Sequence, residues 1–406
     1  MTAPAPALPP RQLGRLVGLD LFRAVAVFGM LVAHVGPAAW TAGDGFGTVH
    51  WEWEIFHSRM PAMFAFAAGI SLNLGRGSAV SGPQPAVVPT LIRAALIALC
   101  GVALMLLGTP VVVILAYFAV WFVLVLPFRR LGVRALIAVA LGWAVAGPPL
   151  SFLARSAVEL PGNPVWALLV AGDYPALTWM PFVLAGLAAG RMDLASAPVR
   201  RGLAVAGVAL MGVGYGLSTL VLYNGAAERI MASLPTADGR DPAQQFARLF
   251  FHERGVTETG DWLWLVAPAP HSGSWADVLG CLGVCALLLA LLLPLGDAAR
   301  WADGHAGRIR WGIGVAVSAV APLGAMVLSV YAAHIVAMAV ITTVTGHSFR
   351  GAQSVLTLAA FTAGLMVFAW LWMRRYGRGP LEWLLGWASA LIERTGRRVS
   401  AGSSRR

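Results

Sequence analysis

Lysine is absent from this chain: all 29 basic residues are arginine. Schiff-base and lysine-held cofactor chemistry is therefore excluded. Charge of either sign is scarce, at 12% of residues against 58% hydrophobic. Soluble domains carry roughly 25% charged residues, so too little charge is present to cover a water-facing surface. Cysteine is limited to Cys100, Cys281 and Cys285, each inside an apolar run. An odd number of cysteines in such runs excludes a disulfide framework, and no ligand spacing suits a metal. Residues 1–10 form a Pro/Ala stretch without a basic residue. The first apolar run contains Asp20 and Arg23 and lacks a cleavage site, so it reads as a retained span rather than a signal peptide.

What the chain does have is length in its apolar runs. They extend for roughly 20 residues, enough to cross a hydrocarbon core of about 30 Å at 1.5 Å per residue. Spans are expected at Leu16–Trp40, Phe56–Leu74, Val88–Leu107, Val111–Phe128, Ala135–Leu153, Tyr174–Gly190, Leu203–Tyr223, Trp275–Leu295, Leu323–Thr345 and Ala352–Met373. The segment Trp311–Pro322 is too short to cross alone and reads as interfacial or re-entrant. The fold class is thus all-α, a polytopic integral membrane protein with about ten transmembrane helices and both termini cytoplasmic. Orientation rests on arginine placement. Arg11, Arg15, Arg76, Arg129, Arg130, Arg134, Arg191, Arg200, Arg201, Arg300, Arg308, Arg310, Arg374, Arg375 and Arg378 share one side in a ten-span count, which the positive-inside rule makes cytoplasmic. Topology accounts for the net charge of +11 without a nucleic-acid partner; the partner implied is the lipid bilayer, and the location a cell membrane with the arginine-rich side facing the cytoplasm. A homodimer is compatible with the sequence.

The organisation is a tail (1–15), a single transmembrane domain (16–378) and a cytoplasmic interfacial helix with a tail (379–406). Leu381–Leu391 is an apolar stretch followed by arginines, as in a surface-lying helix. Two outer loops differ from the arginine-rich ones. Thr41–Ile55 is acidic and aromatic, and 224–274 is the one long loop, where function concentrates more often than not.

Ionisable groups inside spans are costly and are functional candidates for that reason. Asp20 and Arg23 share a face at i, i+3, as a structural ion pair or as an anion site facing inward. His34 lies fourteen residues beyond Asp20, roughly 21 Å along the helix, as a packing residue or a base. His50 and His57 lie near Glu52 and Glu54, and a carboxylate beside a histidine can orient it and raise its basicity. His271 and Ser272 open the eighth span, Tyr331 and His334 share a face of the ninth, and Arg93 lies in the third. On these residues alone, three readings stay open: an enzyme with substrates from two compartments, a transporter or flippase for a small polar or lipid-linked substrate, and a non-catalytic membrane partner.

The stretch Leu19-Asp20-Leu21-Phe22-Arg23-Ala24-Val25-Ala26 resembles the opening motif of the transmembrane acyltransferase superfamily, which includes heparan-α-glucosaminide N-acetyltransferase and the bacterial YeiB-like proteins. Met63-Phe64-Ala65-Phe66-Ala67-Ala68-Gly69-Ile70-Ser71, Tyr174-Pro175-Ala176-Leu177-Thr178-Trp179 with Gly190-Arg191, and Pro270-His271-Ser272-Gly273-Ser274 resemble the YeiB-like branch. So do Leu328-Ser329-Val330-Tyr331-Ala332-Ala333-His334 and Gly379-Pro380-Leu381-Glu382-Trp383. The likeness runs in order along nearly the whole chain. It implies an acyltransferase moving an acetyl or other acyl group from cytoplasmic acetyl-CoA to a sugar amine or hydroxyl, or a related small-molecule or glycan acceptor, on the far side. It also implies a catalytic histidine shortly after span one, a role open to His50 or His57. His34 stands near the position of the family's asparagine, and the usual Arg-Gly is Arg23-Ala24. On this reading His50 is the base with His34 beside it, either positioning the acceptor or taking the base role itself, Glu52 or Glu54 orients the imidazole, and Arg23, Asp20 and Arg93 form the donor site. His271, Ser272, Tyr331, His334 and Trp179 then line the acceptor site.

Overall fold

The computed structural model describes residues 16–73, 87–234, 241–252, 255–296, 308–346 and 353–388. The expected tails at 1–15 and 389–406 lie outside these residues, as do Arg11, Arg15, Arg76 and Arg300. The described chain is helical apart from one small hairpin. Its elements are α1 (Val17–Val35), β1 (Trp40–Thr41), β2 (Thr48–Val49), α2 (Trp51–Glu54), α3 (Arg59–Asn73), α4 (Val87–Met105), α5 (Leu115–Leu124), α6 (Val133–Ala157), α7 (Pro164–Trp166), α8 (Ala176–Ala189), α9 (Ala197–Met211), α10 (Ser218–Val221), α11 (Ala227–Ser233), α12 (Pro242–His252), α13 (Trp275–Leu292), α14 (Arg308–Ala325), α15 (Val327–Thr345) and α16 (Val355–Tyr376).

Seven helices among the described residues are long and apolar enough to cross a membrane, or eight if one bent pair counts as a span. The expected ten therefore include shorter pieces. Val111–Phe128 becomes α5, ten residues long, followed by a 3₁₀ turn over Leu126–Arg130 with Pro127 in its first turn. Tyr174–Gly190 becomes α8, bent by 60° from the helical stretch 164–171. The break falls at Gly172–Pro175, where Pro175 has no N–H to donate and the Asp173 N–H donates instead to Tyr117 Oη at 3.2 Å. Trp311–Pro322, ambiguous in sequence, lies within α14. That helix crosses α1 so closely that a Cβ on Gly324 would collide with the Asp20 carbonyl. The chain then turns at Met326 (φ −123°, ψ 46°) into α15.

Helix α1 is the central element, with 13 of its 19 residues buried and contacts to α3, α13, α14, α15 and α16. Gly36 and Pro37 end it, because a proline cannot extend the ladder. Around α1, α8 packs between α3 and α6, α9 lies against α13, and α4 against α5. The outer faces of α4, α9 and α16 expose large apolar side chains, among them Leu99, Leu106, Val205, Val208, Leu356 and Leu371. Patches of that kind are rare on water-soluble monomers and suit contact with lipid. Lipid supplies no hydrophobic drive between helices, so close packing holds the bundle, and small residues permit it. At the α3–α8 crossing, a Cβ on Gly69 would strike the Val183 carbonyl and one on Gly186 the Phe66 carbonyl.

The tail motif also acquires a place. A helical segment over 380–388 returns to the bundle, and Glu382 accepts the N–H groups of Leu328 (2.8 Å) and Ser329 (3.2 Å) and the Ser329 hydroxyl. The first turn of a helix leaves N–H groups without intrahelical partners and carries partial positive charge, so this carboxylate caps α15 from 53 to 54 residues away. Trp383, Leu384 and Trp387 are exposed on the same segment, in keeping with a helix lying at a membrane surface.

Gly69→Leu is expected to destabilise the fold by about 1–3 kcal/mol, the range for overpacking. Gly142→Leu, with open space around its Cβ, serves as control. Thermal unfolding in detergent that ranks the two equally would remove the α3–α8 crossing as a constraint.

Candidate functional site

Two polar clusters sit at opposite ends of α1. Near its N-terminus, the Arg23 guanidinium donates to Asp20 Oδ1 at 3.1 Å and to Ser71 Oγ at 2.6 Å. Arg93, from α4, approaches both Arg23 and Glu382, and its guanidinium stacks over the Phe122 ring at 5.5 Å. Its buried Nε has no hydrogen-bond partner among the described residues. Two guanidiniums therefore meet here, that of Arg23 partly exposed and that of Arg93 behind it. An orphaned N–H next to a second cation fits an anionic ligand, and guanidinium forks suit phosphate in particular.

Eleven residues along α1 from Arg23, or about 16 Å of helix rise, lies the second cluster. His34 Nδ1 is 3.1 Å from His334 Nε2 on α15, with the ring planes 10° from parallel. One nitrogen donates and the other accepts, so the two tautomers are coupled. Tyr331 packs edge-on to His334 at 5.2 Å and its hydroxyl accepts the Ile114 N–H at 3.2 Å. His57, in the turn before α3, lies close enough to His34 for their charges to interact, and its ring meets that of His271 at 6.4 Å. Tyr174 extends the cluster, with its ring 6.1 Å from His271 and 4.9 Å from Trp179. His34, His57, His271 and Tyr174 are each partly exposed, whereas His334 and Trp179 are buried. Four of the eight histidines thus converge from four separate segments. They make no metal-binding group among the described residues.

Two of the expected catalytic residues stand elsewhere. His50 belongs to the hairpin, where its N–H donates to the Ala39 carbonyl and its Nε2 lies 3.4 Å from Thr41 Oγ1. Its partner Glu52 is 3.9 Å away, with the two side chains 36% and 63% exposed. The hairpin, paired in the register Trp40↔Val49, holds His50 next to Thr41 and Glu52. Glu54 does not orient a histidine either. It is buried and pairs with Arg59 at 3.5 Å, while Arg59 also donates to the carbonyls of Glu54 and His57 and lies over the Tyr215 ring at 4.9 Å. Ser272 is buried and donates to the Ala269 carbonyl, which makes it a turn residue.

The sequence reading passed over Ser58, Arg59, Asp277 and Cys281, which form a connected group behind the histidines. Ser58 Oγ donates to Asp277 Oδ1 at 2.6 Å, and the Gly273 N–H donates to Asp277 Oδ2 at 3.1 Å. Cys281 Sγ lies 3.4 Å from the same carboxylate and 3.2 Å from Tyr215 Oη. A local signal did exist. Ser274-x-x-Asp277 has the spacing of a helix N-terminal capping box, and Ser274 does accept the Asp277 N–H at 3.1 Å. The Asp277 side chain, however, reaches past the cap to Gly273 and across the bundle to Ser58.

Comparison with known families adds two matches. Residues 15–225 match the model described as heparan-alpha-glucosaminide N-acetyltransferase, catalytic, and residues 271–391 match one described as protein of unknown function (DUF418). The first region holds Arg23, His34, His57 and Arg93; the second holds His271, Asp277, His334 and Glu382. No curated protein matches the chain.

Burial pushes the Glu54 carboxyl up to about 7, against the opposing pull of Arg59. The folded state therefore holds the Glu54 proton more tightly than the unfolded state does. The stability linked to it is full below about pH 4.5 and is lost as pH rises through about 7. Glu54→Gln is expected to flatten that part of the pH dependence. Melting temperatures read between pH 4.5 and 8 check this, and a variant with the wild-type slope overturns it.

Proposed function

The chain belongs to the heparan-alpha-glucosaminide N-acetyltransferase catalytic family, whose model covers more than half of it, and from that premise we propose a membrane acyltransferase that moves an acetyl or similar group from acyl-CoA to an amine or hydroxyl acceptor across the bilayer. The observation that carries this reading is the pair of clusters on α1, guanidiniums at one end and imidazoles at the other. The guanidinium end faces the cytoplasm of a bacterial cell and the imidazole end faces outward.

Arg23 and Arg93, steadied by Asp20, Ser71 and Glu382, would hold the donor's phosphates. A bound CoA thioester supplies the activated acyl group. At the other end His34 acts as general base. With its Nδ1–H donating to His334 Nε2, its own Nε2 is left as the acceptor of the proton released by the attacking amine or hydroxyl, a requirement of acyl transfer. His334 fixes that tautomer, Tyr331 packs against His334, and His57 and His271 form the adjoining wall with Tyr174. Tight burial of Trp179 and His334 keeps water from one side of the cluster, which limits loss of the acyl group to hydrolysis.

Acetyl-CoA binding to the purified protein in detergent, followed by calorimetry, tests the donor half. Removing one charge-assisted contact costs roughly 1.5–3 kcal/mol, so Arg23→Ala is expected to weaken binding about 10–150-fold. His34→Ala should leave binding intact and lower acceptor-dependent release of free CoA thiol by at least about 100-fold, as expected for loss of a general base. A transporter using the same residues releases no thiol. Absence of saturable binding up to millimolar acetyl-CoA would overturn the proposal.

A further inference from the structure

Ser58 and His271 are the two non-glycine residues among those described that adopt a left-handed backbone, each with φ of 62°. Such backbone is uncommon outside glycine and costs free energy unless its surroundings enforce it. These two residues touch one another: the Ser58 N–H donates to His271 Nε2 at 3.0 Å. Both are also tied to one buried carboxylate. Asp277 accepts the Ser58 hydroxyl on Oδ1 and the Gly273 N–H on Oδ2, and Gly273 is itself left-handed at φ 61°. One side chain on a rigid helix thus fastens two strained turns, and each turn carries a histidine of the cluster, His57 on one and His271 on the other.

We propose that Asp277, with Ser58 as its partner, is a positioning residue that sets the geometry and tautomer of the His57–His271 pair. A neutral imidazole that accepts at Nε2 carries its proton on Nδ1. The Ser58 N–H points at Nε2 because Ser58 is held left-handed, and the bond from its hydroxyl to Asp277 helps to hold it there. Asp277 is also held from its own side by Cys281, while Arg59 and Tyr215 lie next to the group. His57, next to Ser58 in the chain, is placed by the same turn beside His34. The clamp is a geometric claim about this site, and only its catalytic consequence rests on the function proposed above.

The test uses full-length protein in detergent labelled with ¹⁵N-histidine. Wild type is expected to show His271 protonated at Nδ1 with Nε2 as acceptor. Asp277→Asn keeps an oxygen for Ser58 but turns an N–H₂ toward the Gly273 N–H; Ser58→Ala removes the hydroxyl and keeps the strained backbone. Both should release His271 into a mixture of tautomers. Ser58→Gly relaxes the left-handed turn and also lacks the hydroxyl, so it should release His271 as well, with a smaller loss of thermal stability than Ser58→Ala. A single Nδ1–H tautomer retained in Asp277→Asn and Ser58→Ala, both folded by thermal melt, overturns the proposal. Where acyl transfer is measurable, Asp277→Asn should lower kcat by about tenfold or more with KM for acetyl-CoA unchanged. Unchanged kcat would refute the positioning role. A tautomer shift in a protein that transfers no acyl group would leave the clamp standing and refute the function.

Discussion

A carboxylate removed from water needs replacement donors, because an unpaired buried charge costs several kcal/mol even after relaxation. This chain has few acidic residues, and four of them take their partners from the bundle itself. Asp20 pairs with Arg23 one turn along the same helix. Glu54 pairs with Arg59 across a single turn. Glu382 takes the open N–H groups of α15, and Asp277 takes a hydroxyl and a backbone N–H from two separate turns. The first two are local. The other two join segments more than fifty and more than two hundred residues apart, so they fix tertiary geometry as well as satisfying charge. Substituting a long-range partner disturbs two elements at once.

Helix α1 converts these local solutions into one site. It holds Arg23 and His34 on a single rigid rod, with apolar residues such as Val27, Met30 and Leu31 buried between them. The distance between the clusters is therefore fixed by helix rise rather than by loops. Elements packed around α1 then supply a second group at each end: α4 and the tail segment bring Arg93 and Glu382 to one, and α15 and the turn before α3 bring His334 and His57 to the other. Glu382 touches both arrangements, since it caps the helix that carries Tyr331 and His334 while standing near Arg93.

Much of this was legible in the sequence, and the residues that were not share a reason. Apolar runs of about twenty residues identify spans, because hydrophobic length is a one-dimensional property. Charged residues inside the runs identified Asp20, Arg23, Arg93, His34 and His334 as candidates, because their cost is equally local. The short helices α5 and α8 were harder, since Pro127 and the Gly172–Pro175 break alter helix length without altering hydropathy. His50 does stand beside Glu52, at 3.9 Å, but on an exposed hairpin, which spacing along the chain does not reveal. Ser58 and Asp277 were missed because each resembles an ordinary residue alone, one a loop serine and the other the end of a capping box. Only their meeting across 219 positions distinguishes them, and spacing along the chain carries no trace of that meeting.

The placement of charge also bears on the choice between transfer and transport. A carrier that alternates access usually binds its substrate near the bilayer midplane, where both openings can reach one site. Here the polar groups sit towards the two ends of α1, and the turns between them are packed with apolar side chains. A polar substrate moving whole from one end to the other would cross that stretch without a partner. In the proposed transfer, an acyl group on a long flexible arm meets no such difficulty, because the donor's phosphates would stay with the guanidiniums and only the uncharged arm would extend toward the imidazoles. Separation by about 16 Å of helix is a barrier for transport and a working distance for transfer. The anchors on His57 and His271 point the same way: a wall fastened by one buried carboxylate is suited to holding a reaction geometry, and ill suited to opening and closing in each cycle.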